Sequence, residues 1–139
     1  MVFFTASEAE TEALGERVGR ALPSGGVVIA LYGDLGAGKT AFVRGMARGL
    51  EIEEAVSSPT FTIVNEYPGD PALFHFDMYR LKNAEELYGI GWEDYLDRNG
   101  ICVTEWSERI EEALPADAVR VRIRRLSDSE RSVSIEGML

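Results

Sequence analysis

The chain has 139 residues, of which 45% are hydrophobic and 27% charged, and its formal net charge at pH 7 is −10. This length suits one domain with one core, so we expect residues 1–139 to form a single domain. The acidic balance repels a phosphate backbone, which disfavours unaided nucleic-acid binding unless the basic residues are segregated.

The N-terminus, the hydropathy and the cysteine content predict a cytoplasmic protein. Residues 1–5 carry no basic group and acidic residues soon follow, unlike a signal peptide. No apolar run approaches the roughly 20 residues that a membrane-spanning helix needs. The single cysteine, Cys102, lies in an apolar run, where we expect a small buried side chain in a reducing compartment.

Helical and strand patterns alternate along the chain. A capping-box pattern at residues 5–8, followed by apolar residues at helical spacing, predicts an amphipathic helix over 7–22. The continuously apolar run 27–32 predicts a central strand of a parallel sheet. The later predicted elements are a helix over 40–50, a hairpin of strands 61–67 and 73–79, short helices over 83–89 and 91–99, a strand over 101–104, a helical stretch over 107–114, and a final hairpin of strands 119–126 and 132–136.

The segment between the strand 27–32 and the helix 40–50 matches the phosphate-binding P-loop pattern G-x-x-x-x-G-K-[ST]. In that setting backbone N–H groups converge on phosphates, and the helix dipole favours negative charge. Lys39 is expected to reach the β- and γ-phosphates, and the Thr40 hydroxyl to coordinate Mg²⁺. The sequence therefore predicts a nucleoside triphosphate site built from Gly33, Asp34, Leu35, Gly36, Ala37, Gly38, Lys39 and Thr40.

Together these features predict a three-layer α/β domain of the P-loop NTPase type. Its sheet is expected to be mixed and flanked by helices, with parallel strands around the P-loop and antiparallel hairpins at the edges.

Acidic residues at strand ends are the candidates for catalysis. Glu105 closes the apolar strand 101–104, which is the Walker-B arrangement for holding Mg²⁺, although an ordinary strand-end glutamate gives the same pattern. In the strand 73–79, His75 and Asp77 are expected to share a face. Asp77 could orient water or help to hold the metal, whereas a lone histidine is more often structural. Arg80 could face the γ-phosphate or form a surface ion pair.

Two further segments allow more than one interpretation. The Ser/Thr-rich stretch 57–62 lies where nucleotide switches place a hydroxyl residue, but such loops are also common before strands. The C-terminal arginines have the alternation of a solvated strand face, with a partner or RNA contact as the alternative; they are Arg120, Arg122, Arg124, Arg125 and Arg131.

Five segments fall in the order and spacing of the bacterial TsaE proteins, and the chain resembles that family from about residue 14 to residue 114. They cover residues 33–40, 58–62, 65–67, 75–80 and 105–108. Beyond the P-loop no single segment is specific, but the five together are. Ser107 departs from the family, in which a proline is frequent at this position, and we expect it to loosen the turn after Trp106.

The resemblance implies an ATPase that serves threonylcarbamoyladenosine synthesis, the modification of the adenosine beside the anticodon. It implies ATP and Mg²⁺ as ligands, the TsaD and TsaB proteins as partners, and tRNA contact only through that complex. It further implies that Asp77 and Glu105 serve the metal and the attacking water, and that Trp106 lies near the nucleotide. The hydroxyl residues Thr60 and Thr62 would belong to the switch loop.

Other classes of P-loop protein remain alternatives. A small-molecule kinase usually needs a lid and an acceptor pocket, for which 139 residues leave little room. A guanine-nucleotide switch needs an Asn/Thr-Lys-x-Asp segment, and the chain contains none. A non-catalytic module that uses ATP only to set its shape is the remaining alternative.

Overall fold

A computed structural model describes residues 1–33, 36–53, 56, 64–77, 81 and 83–137. The α-helices and strands are β1 Val2–Thr5, α1 Glu8–Ala21, β2 Val27–Tyr32, α2 Lys39–Gly49, β3 Val64–Tyr67, β4 Leu73–Asp77, α3 Ala84–Gly89, α4 Trp92–Asp97, β5 Ile101–Glu105, β6 Val119–Arg125 and β7 Arg131–Glu136. Short 3₁₀ turns occupy Ser107–Arg109 and Glu111–Ala113. Within these ranges, no helix has the length and apolarity needed to span a lipid bilayer.

The strands form one mixed sheet in the order β1-β7-β6-β2-β5-β4-β3. The central strands β6, β2, β5 and β4 are parallel, whereas β7, β1 and β3 pair antiparallel. Since parallel strands end at the same edge, the loops that follow β2, β4, β5 and β6 gather there. The predicted fold class, a mixed α/β sheet with antiparallel edges, is confirmed.

Helices α1 and α2 pack against one face of the sheet and against each other through glycines. Gly15 and Gly19 of α1, and Gly45 and Gly49 of α2, lie so close to the opposite helix that a Cβ at any of them would stand within 2.4 Å of a backbone carbonyl oxygen. Glycine at these positions lets the two backbones approach closely. This contact fixes α2, whose first residues Lys39 and Thr40 belong to the P-loop.

Different elements pack against the two faces of the sheet. A core that includes Ile29, Leu31, Phe42 and Met46 lies beneath α1 and α2. On the opposite face a second cluster, which includes Phe76, packs with residues of α3, α4 and the 3₁₀ turns. The alternation along β4 therefore directs its phenylalanines to the second cluster and leaves the other face of the strand toward the P-loop side.

Several predicted elements are confirmed, and the first helix needs one correction. The strand over 27–32 and the Asn83 cap of α3, which accepts a hydrogen bond from the Glu86 N–H at 3.1 Å, are both present. The α1 cap, however, is Ser7 rather than Thr5. Ser7 Oγ accepts from the Glu10 N–H at 3.1 Å, so the capping box at residues 5–8 was placed two residues too early.

Three other expectations differ from the structure. Strand β1 was not predicted, because its two outward side chains, Val2 and Phe4, are exposed apolar residues that break the usual alternation. The stretch 107–114 forms two 3₁₀ turns instead of one longer helix. Residues 61–63 and 78–79 of the predicted hairpin lie outside the described residues, while β3 and β4 pair antiparallel as predicted.

Candidate functional site

The P-loop connects the end of β2 to the start of α2. Gly38 caps α2 at φ 106°, and Gly36 has φ 80°, backbone conformations that a side chain would strain. The N-cap residue of α2, Gly38, has no side chain that could accept a hydrogen bond from the first turn, and a ligand can take that place. This is the local geometry that binds anions at a helix N-terminus.

Lys39 lies beneath Trp106 in the structure. Its ammonium donates to the Gly33 carbonyl at 2.6 Å and stands 3.9 Å from the centroid of the Trp106 ring, and the residue is only 5% exposed. Trp106 has φ 59°, which is unusual for a bulky residue and is often found at functional sites. The indole therefore covers the lysine that the P-loop pattern assigns to phosphate.

The turn that carries Trp106 is tightly held. Ser107 is fully buried, and its hydroxyl donates to the Thr104 carbonyl at 2.9 Å and shares a 2.6 Å hydrogen bond with the Thr104 hydroxyl. The expectation that Ser107 loosens this turn is wrong, because its hydroxyl supplies hydrogen bonds that a proline ring could not form.

Asp77 and Glu105 are brought side by side by the parallel pairing of β4 and β5, in which they are register partners. Glu105 is 5% exposed, and its Oε2 lies 2.5 Å from Nε2 of the fully buried His75. In this hydrogen bond the ring N–H donates when the carboxylate is ionised. Nδ1 of His75 has no hydrogen-bond partner among the described residues. His75 therefore lies behind Glu105 and holds it, rather than facing the open site.

These elements surround an open cavity of about 540 Å³, which is within the range of small-ligand sites. Its wall unites seven residues predicted from sequence as ligand or catalytic groups with seven others that sequence reasoning missed. The predicted residues at the wall are Gly36, Gly38, Lys39, Thr40, Asp77, Glu105 and Trp106, and the unpredicted ones are Glu8, Thr11, Ala41, Arg44, Asp128, Ser129 and Arg131.

Some predicted site residues cannot be placed at this cavity. Asp34, Leu35, Arg80, Thr60 and Thr62 lie outside the described residues, as does the rest of the proposed switch loop. Ala37 is buried, with 1% exposure, and its carbonyl accepts a hydrogen bond from Arg131.

The C-terminal arginines do not act as one group. Arg120 binds Glu111 and Arg125 binds Asp128, while Arg124 is exposed on β6. Arg131 instead reaches the P-loop, where it donates to the carbonyls of Ala37 and Gly36. No spacing rule points from residue 131 to residues 36–37, so only the arrangement of β7 beside β6 could have revealed this contact.

A second polar cluster ties the end of β2 to the segment after Trp106. Tyr32 donates to Glu111, which also accepts from Arg120 at 3.1 and 3.2 Å. Burial, together with the hydrogen bond to Glu111, raises the pKa of Tyr32 to about 12. Burial alone would raise the pKa of Glu111, but the hydrogen bonds from Tyr32 and Arg120 outweigh it and lower that pKa. Glu111 is thus a structural anion outside the cavity.

The donor atoms at the cavity suit Mg²⁺ bound together with a phosphate ligand. The described residues contain no group of three or more His, Cys, Asp or Glu side chains that could hold a metal alone. Mg²⁺ commonly uses one or two carboxylates, a hydroxyl, substrate phosphates and water. Thr40, Asp77 and Glu105 line the same wall and offer these oxygen ligands.

Comparisons with family models, curated sequences and solved structures all indicate the same protein family. The family model described as "Threonylcarbamoyl adenosine biosynthesis protein TsaE" matches residues 5–133. A Treponema pallidum protein named tRNA threonylcarbamoyladenosine biosynthesis protein TsaE is 43% identical over 129 residues, covering 93% of this chain and 95% of its own. A Bacillus subtilis protein of the same name is 41% identical over 131 residues, covering 94% and 81%. The crystal structure of Bacillus subtilis YdiB aligns with a TM-score of 0.78 at 35% identity, covering 97% of this chain and 83% of that one.

Proposed function

Since the chain belongs to the TsaE family and has a role in the threonylcarbamoyladenosine modification of tRNA, we propose that it serves this role by binding and hydrolysing Mg-ATP in the P-loop cavity. One observation carries the proposal: the fold gathers Lys39, Thr40, Asp77 and Glu105 at a single cavity although they come from three separate elements. A phosphate-binding loop and two acids on one wall are the parts that phosphoryl transfer to water requires.

Binding begins with the P-loop backbone and Lys39. The N–H groups at the start of α2 donate to the phosphate oxygens. The Lys39 ammonium exchanges its contacts with the Gly33 carbonyl and the Trp106 ring for the β- and γ-phosphates, whose negative charge attracts it more strongly than an uncharged carbonyl or indole does. Trp106 then remains beside the nucleotide. We also assign nucleotide contacts to Asp34, Leu35, Thr60 and Thr62.

The acids at the ends of β4 and β5 serve the metal and the attacking water. Mg²⁺, when bound, neutralises charge on the phosphate oxygens. Thr40 would supply a hydroxyl ligand, and Asp77 and Glu105 would supply carboxylates, directly or through water. The carboxylate that accepts a proton or a hydrogen bond from water must be fixed in direction. His75 fixes Glu105 in this way, because its hydrogen bond to Oε2 leaves Oε1 as the oxygen free of the imidazole.

The partners and location belong to the same proposal. We infer that the chain acts in the cytoplasm with the TsaD and TsaB proteins, and that hydrolysis sustains repeated rounds of the modification. The net charge of −10 supports contact with tRNA through the partner pair rather than directly.

Nucleotide binding can be tested with the intrinsic fluorescence of Trp106. The second tryptophan, Trp92, is fully buried among α3, α4 and the 3₁₀ turns, so a Trp92→Phe variant isolates the signal from Trp106. We expect a saturable fluorescence change on titration with Mg-ATP and a weaker response to Mg-GTP. If the fluorescence did not change and calorimetry detected no heat of binding, nucleotide binding by this chain would be refuted.

Hydrolysis needs a separate measurement, because a module that only senses ATP would bind it equally well. Release of phosphate from Mg-ATP is expected for the wild-type chain with its partners and is expected to be lost in Glu105→Gln. ATP binding without phosphate release in either protein would favour the non-catalytic module. Transfer of phosphate to an added small molecule instead of water would favour a kinase.

A further inference from the structure

Arg131, the first residue of β7, ties the P-loop to the turn between β6 and β7. Its Nε donates to the Ala37 carbonyl at 2.8 Å, and its Nη2 donates to the Gly36 carbonyl at 3.2 Å. Its Nη1 donates to the carbonyls of Ser127 and Glu130 at 2.8 and 2.9 Å. One guanidinium therefore links two segments that are more than 90 residues apart in the sequence.

The two P-loop bonds determine how two peptide groups are oriented. In a trans peptide the C=O and the following N–H point in opposite directions. Because the Gly36 and Ala37 carbonyls accept hydrogen bonds from Arg131, the N–H groups of Ala37 and Gly38 point to the opposite side of the loop. These are backbone donors of the type that a P-loop presents to phosphate.

The loop needs such a restraint because it is rich in glycine. Gly36 and Gly38 have positive φ, and an added Cβ at Gly36 would meet nothing within 4 Å. Glycine in open space has many accessible conformations, so a loop held only by its own backbone would lose considerable entropy when it orders around a ligand. A side chain that orders the loop beforehand reduces this cost of binding.

Arg125 provides an internal comparison, because it is an arginine of the same hairpin with a different target. It donates to the Ser127 carbonyl at 3.2 Å and to the Asp128 carboxylate at 2.6 Å, and these bonds stay within the turn. Both arginines thus stabilise the turn, but of the two only Arg131 bonds to the P-loop carbonyls.

We propose that Arg131 is a positioning residue for the nucleotide, which holds the Gly36 and Ala37 peptides in the phosphate-binding orientation before the ligand arrives. The proposal rests on nucleotide binding at this P-loop. Arg131 should therefore change the affinity for the nucleotide rather than kcat, because the loop contacts the phosphates in both the ground state and the transition state. The affinities for ATP and ADP should change alike, because the two nucleotides share the phosphates nearest the loop.

The test compares the wild type with Arg131→Ala, Arg131→Lys and Arg125→Ala. Calorimetry measures the binding of Mg-ATP and Mg-ADP to each protein, and turnover is measured at saturating ATP with the partner pair. Loss of two charge-assisted hydrogen bonds should weaken both nucleotides about tenfold in Arg131→Ala. The value of kcat should stay within about twofold. Lysine should restore part of the affinity, because its ammonium keeps the charge and can reach one carbonyl. Arg125→Ala should bind both nucleotides as the wild type does.

Three calorimetric results would overturn the proposal. Unchanged affinity in Arg131→Ala would show that the loop is ordered without it. A loss confined to ATP would indicate a direct contact with the γ-phosphate, and an equal loss in Arg125→Ala would indicate a general effect of the turn.

Amide hydrogen exchange of the nucleotide-free proteins keeps this test separate from the proposed function. Exchange of the peptide that covers residues 33–40 should be faster in Arg131→Ala than in the wild type and in Arg125→Ala. Equal exchange would overturn the role of Arg131. Failure of the wild type to bind nucleotide would refute the proposed function while leaving the exchange result to decide whether Arg131 orders the loop.

Discussion

Replacing Gly45 with alanine tests whether backbone contact between α1 and α2 sets the position of the P-loop helix. A Cβ at Gly45 would lie 1.8 Å from the Glu12 carbonyl oxygen, 2.7 Å from its carbon and 3.0 Å from the Glu16 nitrogen. All three are backbone atoms, so no side chain can rotate away. Since ordinary contacts begin near 3.4 Å, the helices would have to separate locally by roughly 1.5 Å.

The expected change in the free energy of unfolding is the balance of two opposing contributions. Overpacking of this kind typically costs about 1–3 kcal/mol, whereas alanine in a helix interior recovers up to about 1 kcal/mol relative to glycine. Because the clash is with backbone, we expect Gly45→Ala to lower the free energy of unfolding by about 2 kcal/mol. For a chain of this size that corresponds to a fall in Tm of roughly 5–10 °C.

Urea and thermal unfolding of the nucleotide-free protein measure this change, and Gly89→Ala is the matched control. Gly89 ends α3, and a Cβ there would meet nothing within 4 Å, so this variant should be neutral or slightly stabilised. Equal stability of Gly45→Ala and Gly89→Ala would refute the inference that the glycine contacts hold α2 in place.

Three further predictions concern the site and the core. Lys39→Ala should weaken Mg-ATP binding at least about tenfold in calorimetry, because it removes a charged donor to phosphate, and unchanged affinity would exclude the P-loop lysine from binding. Glu105→Gln should reduce turnover by about a hundredfold or more while altering ATP affinity by less than about threefold; equal losses in both would mean that Glu105 serves binding only. Burial raises the pKa of Cys102 to about 12, so at pH 8 its thiol stays protonated. A thiol reagent should then label the folded protein at least about a hundredfold more slowly than the urea-unfolded protein, and rapid labelling of the folded chain would contradict its burial.

Features set by neighbouring residues were predictable from the sequence. The apolar run of β2 coincides with the strand 27–32 because every one of its side chains is at least half-buried. Asn83 caps α3 as predicted because an asparagine ahead of a helix-forming run satisfies the free N–H of Glu86 locally. The antiparallel hairpins also follow from short connections between strands.

Features that depend on distant parts of the chain were missed. Strand β1 exists because β7 offers it an antiparallel edge, and nothing in residues 2–5 encodes that partner. The glycines of α1 and α2 lower helix propensity in sequence, yet in the fold they allow close helix contact. Likewise the hydrogen bond between His75 and Glu105, and that between Arg131 and the P-loop, form only after the strands are ordered side by side.

We propose that this chain uses its P-loop cavity to hydrolyse ATP in the modification of tRNA. The decisive measurement is phosphate release from Mg-ATP by the purified chain, alone and with the TsaD–TsaB pair, with Lys39→Ala as the control. We expect turnover to appear or rise sharply when the pair is added, and to be lost in Lys39→Ala. Binding of ATP without phosphate release, in the presence and in the absence of the pair, would contradict the claim.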